Sequence, residues 1–301
     1  MDALIVGAGA SGFLHALALR SAGVRIARVY DPIRERATWL AGLCDAEVVS
    51  GLHGEAMDVV AICSPPAFHV AQAEALARPG RLTFLEKPVA VNREELARLA
   101  MLSGVVPIVQ WRAGRTAHQL RAGFAAGVFG PRPRISCDFR LWRDDEYWRA
   151  RAPSAWPCGA MLSIGIHAVD LLLWTVGRPA MRTAFTDSRT RGELGLVFDD
   201  GTTAHVRMAL DVPDRNELRL RVLGSKASAE LLATEEDPTT APIRWHGDAP
   251  PPVTTGATGS PLLVPFIHSA LAGEGVGVRD VEAAHAFLTG NQTRLARSSM
   301  A

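Results

Sequence analysis

One glycine-rich segment constrains the fold of this chain more than any other feature. Gly7-Ala8-Gly9-Ala10-Ser11-Gly12 follows a short apolar run at residues 3–6 and precedes helical spacing at residues 13–22. In a G-x-G-x-x-G turn, the first glycine permits a tight turn and the second lets a pyrophosphate approach the backbone. The third allows the helix to pack closely on the strand, and the helix N-terminus offers N–H groups to phosphates. The segment therefore predicts a βαβ unit that binds a dinucleotide.

The residue that ends the second predicted strand bears on which dinucleotide binds. Asp31 lies 19 residues after Gly12, where an acid suits the ribose 2′-hydroxyl of NAD and repels a 2′-phosphate. Arg34 and Arg36 leave alternatives open, because either can bind a 2′-phosphate if Asp31 turns away, stack on adenine, or remain solvated. NAD is the predicted cofactor and NADP the alternative. The cofactor-binding residues predicted here are Gly7, Gly9, Ser11, Gly12, Phe13, Asp31 and Arg36.

The order of strand-like and helix-like segments predicts two domains. Up to residue 112, strand-like runs alternate with helical segments, as in a parallel α/β sheet. From residue 113, a helical segment is followed mainly by strand-like runs, two of them joined by the turn signal Asp199-Asp200-Gly201. The predicted strands cover residues 24–30, 59–63, 82–85, 105–109, 134–142, 193–198, 202–211, 217–223 and 228–232. Helices are expected at 117–126 and from 281, and a loop at 237–261.

Composition narrows the class of protein. With 32 basic and 31 acidic side chains and 48% hydrophobic content, we expect a soluble globular protein that does not bind nucleic acid through bulk charge. No basic region with a cleavage site precedes the first strand, and the apolar run at 159–176 is short and interrupted. A cytoplasmic protein with no membrane segment is therefore expected.

Cysteine and lysine counts add two constraints. The four cysteines lie far apart with no C-x-x-C pair, so we expect buried reduced thiols and neither a disulfide framework nor a zinc site. Thirty of the 32 basic residues are arginines, and the two lysines are Lys87 and Lys226. Arginine stays protonated in proteins, whereas the pKa of a lysine can be tuned. An amine acid or base must therefore be one of these two.

Three further motifs fall in register with the glycine-rich segment. Cys63-Ser64-Pro65-Pro66-Ala67-Phe68-His69 and Glu86-Lys87-Pro88 each follow a predicted strand, and residues 159–170 contain Gly165-Ile166-His167. Together the four motifs resemble those of the glucose-fructose oxidoreductase, inositol dehydrogenase and rhizopine catabolism (Gfo/Idh/MocA) family. The resemblance implies a Rossmann NAD(P)-binding domain at 1–112. It also implies a C-terminal α+β domain at 113–301 with a large open, mainly antiparallel sheet, used for substrate binding and homodimer or homotetramer contacts.

The family resemblance also implies hydride transfer between nicotinamide and a carbonyl or alcohol carbon, often on a sugar or cyclitol. The lysine of E-K-P and the histidine of G-x-H would line the reaction site, which makes Lys87 and His167 the predicted catalytic residues. Lys87 would donate or accept the proton, and His167 would assist. The alternative interpretations are that Lys87 is a solvated surface lysine and that His167 is a structural histidine. The cofactor-binding residues implied in these motifs are Ser64, Pro65, His69, Glu86 and Lys87.

One position departs from the family pattern. Many sugar- and cyclitol-oxidising relatives carry an aspartate four residues before the histidine, where this chain has Ser163. A hydroxyl can bind substrate but cannot act as a carboxylate base, which leaves two alternatives: Lys87 acts more alone in proton transfer, or the natural substrate differs. Asp170, one turn beyond His167, either orients that histidine or supports the helix. Pro88 fixes the turn after Lys87, with a cis peptide as one way to do so.

The predicted substrate-binding residues lie between and within the motifs. Aromatic rings interleaved with arginines at 140–156 suit stacking on a sugar and binding of an acid group. They equally suit a packing loop with solvated arginines. Lys226 fits an exposed turn between two strands. The predicted substrate-binding set is Gln110, Arg112, Trp142, Tyr147, Ser163 and His167.

Three functions remain open at this point. The leading hypothesis is an NAD(P)-dependent oxidoreductase acting on a sugar-like or other cyclic alcohol or ketone. An imine or tetrapyrrole-type reductase on the same fold is the second. A non-catalytic NAD(P)-sensing regulatory protein is the third, although such a protein needs neither Lys87 nor His167. Each requires a small-molecule ligand and no metal.

Overall fold

The chain forms two compact units. The computed structural model describes residues 1–52, 56–149, 156–177, 180–234, 237–248 and 250–289, with only the backbone described at residue 214. The first unit comprises 1–108 and 263–282 with residues 156–157, and the second comprises the described parts of 109–149, 158–262 and 283–289. The division after residue 112 stays a prediction. The return of residues 263–282 to the first unit has no counterpart in the sequence-based expectation.

The first unit is built around a six-stranded parallel sheet with helices between its strands. In chain order its elements are β1 (Asp2–Val6), α1 (Ala10–Ser21), β2 (Arg25–Tyr30), α2 (Arg34–Cys44), β3 (Glu47–Val48), β4 (Val59–Ile62), α3 (His69–Leu76), β5 (Leu82–Leu85), α4 (Arg93–Ala100) and β6 (Val105–Pro107). The strand order is β3-β2-β1-β4-β5-β6, and every pair is parallel. This is the Rossmann order, in which ligands bind at the carboxyl ends of the strands where the order reverses.

The first unit is completed from the far end of the chain. Helix α8 (Leu263–Ser269) belongs wholly to this unit, and a last helix, α9 (Val278–Thr289), belongs to it only as far as Glu282. Helix α8 packs on α1, with Ser21 Oγ 3.0 Å from His268 Nε2. Phe266 and Ile267 of α8 are buried. The helix that begins at the glycine-rich turn is therefore covered by residues about 250 positions away.

The second unit carries a seven-stranded mixed sheet. Its elements are α5 (Arg115–Ala125), β7 (Arg134–Trp142), α6 (Asp145–Arg149), α7 (Ile166–Val176), β8 (Ala180–Asp187), β9 (Arg191–Phe198), β10 (Thr203–Ala209), β11 (Asp211–Leu223), β12 (Ala227–Ala233) and β13 (Ile243–Gly247). The order is β13-β12-β11-β7-β10-β9-β8, antiparallel except for the β7–β10 pair. The predicted fold class, a Rossmann domain with a large open and mainly antiparallel sheet, is confirmed.

Differences from the predicted elements concentrate at the sheet edges. The outer strands β8 and β13 are largely exposed and lack a sustained apolar alternation, so their sequences gave no strand signal. The expected loop at 237–261 therefore contains β13. Strand β11 begins at Asp211 rather than 217, and its pairing with β7 shifts register between Asp211 and Asn216. The predicted turn at 199–201 joins β9 to β10, with Gly201 at φ +83°.

The cysteines are free, but they are not all buried. Cys137 is buried in β7, and burial raises the pKa of its thiol. Cys44, Cys63 and Cys158 are half-buried residues, which corrects the expectation that all four are buried. Within the described ranges, no cluster of three or more His, Cys, Asp or Glu side chains is placed to hold a metal ion. Over those same ranges, no helix is long and apolar enough to cross a membrane.

Candidate active site

The three motif glycines meet three different steric conditions. Gly7 has φ +94°, and a Cβ there would lie 2.8 Å from the backbone of Cys63 and Ser64. A Cβ on Gly12 would lie 2.0 Å from the carbonyl oxygen of Gly7, whereas a Cβ on Gly9 would meet no atom within 4 Å. The first and third glycines therefore serve close packing, and the second leaves open space above the backbone. This cradle fits the pyrophosphate of a dinucleotide.

The start of α1 favours an anion. Gly9 is its N-cap residue, and no side chain caps the helix. The first N–H groups of an α-helix have no partner within the helix and carry a partial positive charge. These groups lie beside the open space at Gly9, so they would hold the cofactor phosphates.

Asp31 is bound to the glycine-rich turn. Its Oδ2 accepts the Ala8 N–H at 2.8 Å, and its Oδ1 accepts the Ile33 N–H at 2.8 Å. The carboxylate is therefore held at the end of β2 and does not turn away. Arg34 and Arg36 are exposed at the start of α2, as in the solvated alternative.

The rest of this region packs on α2. Phe13 stacks at a tilt against Trp39 of α2, with ring centroids 5.5 Å apart. Ser11 lies in the first turn of α1 and is partly exposed. Both residues stay predicted cofactor contacts.

The segment after β4 places Ser64 and Pro65 before a short 3₁₀ turn, Pro66–Phe68. The Ser64 hydroxyl donates to Gln72 Oε1 at 2.5 Å. His69 begins α3 and is fully buried. Its ring is turned into the protein, so a cofactor contact at this position would have to be made by its neighbours.

Glu86, Lys87 and Pro88 form the turn after β5, and the Lys87–Pro88 peptide is cis. Lys87 is half-buried. Glu86 Oε2 accepts the Lys87 backbone N–H at 3.1 Å, and Oε1 lies 3.1 Å from Nε2 of His15. The fully buried His15 was missed by sequence reasoning. Its place on α1, three residues after Gly12, indicates burial toward the sheet but gives no sign of its partner Glu86.

In the second unit, His167 lies in an aromatic stack. Trp111 stacks on His167 at 5.0 Å between centroids and on Phe139 at 5.6 Å. His167 sits in the first turn of α7 and is 7% exposed. The ring is thus oriented by packing as well as by its helix.

Ser163 precedes His167 in a π-helical turn, Met161–Gly165. Its hydroxyl lies 3.4 Å from the carbonyl oxygen of Ala160, a long hydrogen bond. Asp187 Oδ1, from β8, accepts the Met161 N–H at 2.9 Å. Asp187 therefore supports the turn that carries Ser163, and sequence reasoning had no signal for this contact between distant segments.

Arg112 and Asp170 form a buried ion pair. The Arg112 guanidinium binds both carboxylate oxygens, with Nε donating to Oδ2 at 2.8 Å and Nη2 donating to Oδ1. Their side chains are 13% and 3% exposed. This pairing favours the helix-supporting role for Asp170. Gln110 begins the 3₁₀ turn that carries Arg112, Gln110–Ala113, and its buried Oε1 has no hydrogen-bond partner among the described residues.

The aromatic and arginine residues of this unit pair with one another. Arg143 lies over the Tyr147 ring at 5.2 Å, and Arg189 over Trp148 at 4.8 Å. Trp142, at the end of β7, is 43% exposed. The contact between Arg143 and Tyr147 fits the interpretation of this segment as a packing loop. The exposed ring of Trp142, in contrast, is accessible to a ligand. Arg151 lies outside the described residues.

Comparison with protein families decides the identity of both units. Residues 1–103 match an oxidoreductase family with an NAD-binding Rossmann fold, and residues 117–230 match the GFO/IDH/MocA C-terminal domain. The chain belongs to the Gfo/Idh/MocA family. It is an NAD-binding oxidoreductase with a small-molecule substrate, and the resemblance seen in its motifs is confirmed.

Two Gfo/Idh/MocA relatives come from Rhizobium meliloti. The rhizopine catabolism protein MocA is 28% identical over 247 residues, which cover 75% of this chain and 76% of that protein. Inositol 2-dehydrogenase of strain 1021 is 32% identical over 96 residues, which cover 31% of this chain and 29% of that enzyme. The first relative thus spans both family domains.

Solved structures share the fold at low sequence identity. The WlbA dehydrogenase from Bordetella pertussis, in complex with NADH and UDP-GlcNAcA, superposes with a TM-score of 0.79 at 21% identity, covering 96% of this chain and 93% of that one. WlbA from Thermus thermophilus, in complex with NAD and UDP-GlcNAcA, has a TM-score of 0.75 at 20% identity, and the match covers 98% of this chain and 97% of that one. GenD2 from gentamicin A biosynthesis, in complex with NAD, has a TM-score of 0.75 at 19% identity, and the match covers 96% of this chain and 92% of that one.

The glycine geometry predicts opposite effects at two positions of this Gfo/Idh/MocA chain. Gly12→Ala is expected to lower the free energy of unfolding by about 1–3 kcal/mol or more, because its Cβ would collide with the Gly7 carbonyl. Gly9→Ala has room within the protein and is expected to change stability by less than about 1 kcal/mol. It should nevertheless weaken NADH binding about tenfold or more, a loss of about 1.4 kcal/mol.

Urea unfolding and NADH titration of both variants check this contrast. Gly42→Ala is the matched control, since a Cβ there also meets no atom within 4 Å and it lies outside the motif. Wild-type NADH affinity in Gly9→Ala would contradict the cradle assigned to that glycine.

Proposed function

We propose that this protein transfers a hydride between NAD and an alcohol or carbonyl carbon of a sugar-like or cyclitol substrate, with Lys87 as the proton donor and acceptor. The observation that supports this most is the sheet order. Strands β1, β4 and β5 are neighbours in a parallel sheet, so the segments after them emerge at one edge. Those segments are the glycine cradle, the Ser64 turn and the Lys87 turn. A cofactor held in the cradle would therefore extend along the edge that carries Lys87.

The chemistry divides between cofactor and protein. Bound NAD supplies the hydride acceptor for oxidation and, as NADH, the donor for reduction. In oxidation, a neutral Lys87 amine takes the hydroxyl proton as the C–H bond breaks and the C=O bond forms. In reduction, the Lys87 ammonium returns that proton to the developing alkoxide and stabilises its charge. Each direction balances with one hydride and one proton.

The substrate-side roles are proposals for residues of the second unit. His167 would hydrogen-bond or relay a proton to the reacting oxygen, and Ser163 would bind a substrate hydroxyl without supplying negative charge. The buried Oε1 of Gln110 would accept a hydrogen bond from such a hydroxyl, since an unpaired buried acceptor is costly. Exposed Trp142 would stack on a sugar face. For Arg112, bound to Asp170, and Tyr147, bound by Arg143, positioning is the better-supported role.

A substrate panel tests the proposed function. Purified protein is mixed with NAD⁺ or NADP⁺ and with myo-inositol, hexoses and UDP-linked hexuronic acids, and NADH or NADPH formation is followed by absorbance. We expect turnover with a cyclic polyol or sugar and tighter binding of NADH than NADPH, because Asp31 repels a 2′-phosphate. Asp31→Ala should reduce that preference.

Two results would contradict the proposal. No turnover in either direction, with thermal stabilisation by cofactor alone, would favour the sensing protein. Reduction of a cyclic imine without turnover of any alcohol or ketone would favour the imine reductase. A homodimer or homotetramer and a cytoplasmic location stay predictions that rest on the family.

A further inference from the structure

The Lys87 turn contacts a buried histidine on each side. Glu86, before the lysine, lies against His15 of α1, and Pro88, after it, lies against His69 of α3. Both histidine side chains are fully buried, at 0% exposure. Neither ring has a role in the proposed proton transfer, so each needs a separate explanation.

His15 forms one of these contacts at a cost to stability. Its Nε2 lies 3.1 Å from Glu86 Oε1, and because a carboxylate accepts, the shared proton belongs on Nε2. Its Nδ1 is buried with no hydrogen-bond partner in the part of the chain that the structure describes, and an unpaired buried acceptor is unfavourable. An apolar residue of similar size would avoid that cost. What the histidine provides in return is a donor to Glu86, whose other oxygen binds the Lys87 N–H.

His69 joins two turns at the same sheet edge. Its Nδ1 lies 2.9 Å from the Pro88 carbonyl oxygen and its Nε2 lies 2.8 Å from the Ser64 carbonyl oxygen. A carbonyl only accepts, so a neutral ring donates to one of them at a time and an imidazolium to both. Burial lowers the pKa of His69, while the two carbonyls and the Glu86 and Glu95 carboxylates act against that shift.

We infer that His15 and His69 are positioning residues for Lys87, fixing the backbone on both sides of it through Glu86 and Pro88. The base of the lysine side chain is thereby attached to the helix of the dinucleotide cradle and to the Ser64 turn. This inference rests on the proposed function for its catalytic meaning, but the attachment itself can be measured without a substrate. Removing either ring should release Lys87.

Because the chain has two lysines, the order of the Lys87 side chain can be followed directly by NMR. Protein grown with ¹³C-lysine gives two sets of side-chain signals, from half-buried Lys87 and exposed Lys226. Lys226→Arg assigns them. In the wild type with NADH bound, we expect the Lys87 Cε–Hε signals to be separate from those of Lys226 and to relax as an ordered group.

His15→Leu and His69→Leu should move the Lys87 signals toward those of Lys226 and lose the ordered relaxation, with Lys226 unchanged. His15→Gln, which keeps a donor for Glu86, should largely restore them. His246→Leu, which removes an exposed histidine of β13, should leave them unchanged. If a leucine variant fails to fold, His15→Asn, whose shorter amide does not take the place of Nε2, or His69→Gln, whose amide takes the place of Nε2 and not of Nδ1, should give the same loss.

Unchanged Lys87 signals in a folded His15→Leu, His15→Asn, His69→Leu or His69→Gln variant would overturn the inference. The proposed function fails separately, through full turnover in Lys87→Ala. If the histidine variants lose the ordered Lys87 signals while Lys87→Ala keeps full turnover, the two histidines position Lys87 but Lys87 is not catalytic.

Discussion

Lys87→Ala is expected to lower kcat by about 10²–10⁴-fold on any substrate that the panel identifies, the usual contribution of a general acid or base. The variant loses the amine that exchanges a proton with the reacting oxygen, while the cradle that holds the cofactor is unaltered. NADH affinity should therefore stay within about threefold of the wild type. Steady-state kinetics and NADH titration on the same preparation check both parts.

Lys87→Arg makes the test sharper. Arginine retains the positive charge but does not deprotonate in proteins, so the oxidation direction should lose as much activity as in Lys87→Ala. Lys226→Ala is the matched control, because Lys226 is an exposed residue of the turn between β11 and β12. Wild-type kcat in Lys87→Arg would refute proton transfer by this amine.

Arg112→Met is expected to lower the free energy of unfolding by about 3–5 kcal/mol, as is usual when one partner of a buried ion pair is removed. Asp170 is 3% exposed, and its charge would be left in a low-dielectric environment. The double variant Arg112→Met/Asp170→Leu should recover most of that loss, since it removes both charges. Denaturant unfolding of both single variants and the double variant measures the coupling.

An exposed pair on the second sheet provides the control. Arg191 and Asp211 are 67% and 36% exposed, so Arg191→Met should cost less than about 1 kcal/mol. Equal losses in Arg112→Met and Arg191→Met would show that burial does not set the strength of the Arg112–Asp170 pair.

The motifs predicted the first unit well because each one depends on neighbours in sequence. The glycine spacing, the acid at Asp31 and the E-K-P turn are local patterns, and the structure places all three after strands of one parallel sheet. The three glycine roles could be assigned before any coordinates, since they follow from the strand, turn and helix themselves. The specific residues of the site, including Lys87 and His167, stay predictions as to their roles.

What the sequence could not reveal depends on contacts between distant segments. Arg112 was expected to bind substrate. No local pattern indicates that its guanidinium instead binds the carboxylate of Asp170, 58 residues away. His15 belongs to a helix where any apolar residue would fit the spacing, and its partner Glu86 is 71 residues away. Edge strands such as β8 and β13 are exposed on most positions, so they lack the alternation that marks inner strands.

The packing of α8 on α1 has a consequence for the order of synthesis. A ribosome releases β1 to β6 first, and N-terminal domains generally fold first. Here the helix that begins at the glycine cradle keeps one side uncovered until Phe266 and Ile267 have emerged. The NAD-binding half of the protein is therefore started first and finished after most of the second sheet has been made. A nascent chain halted between the two would have one side of α1 uncovered, so the packing that stabilises the cradle helix is complete only once α8 has emerged.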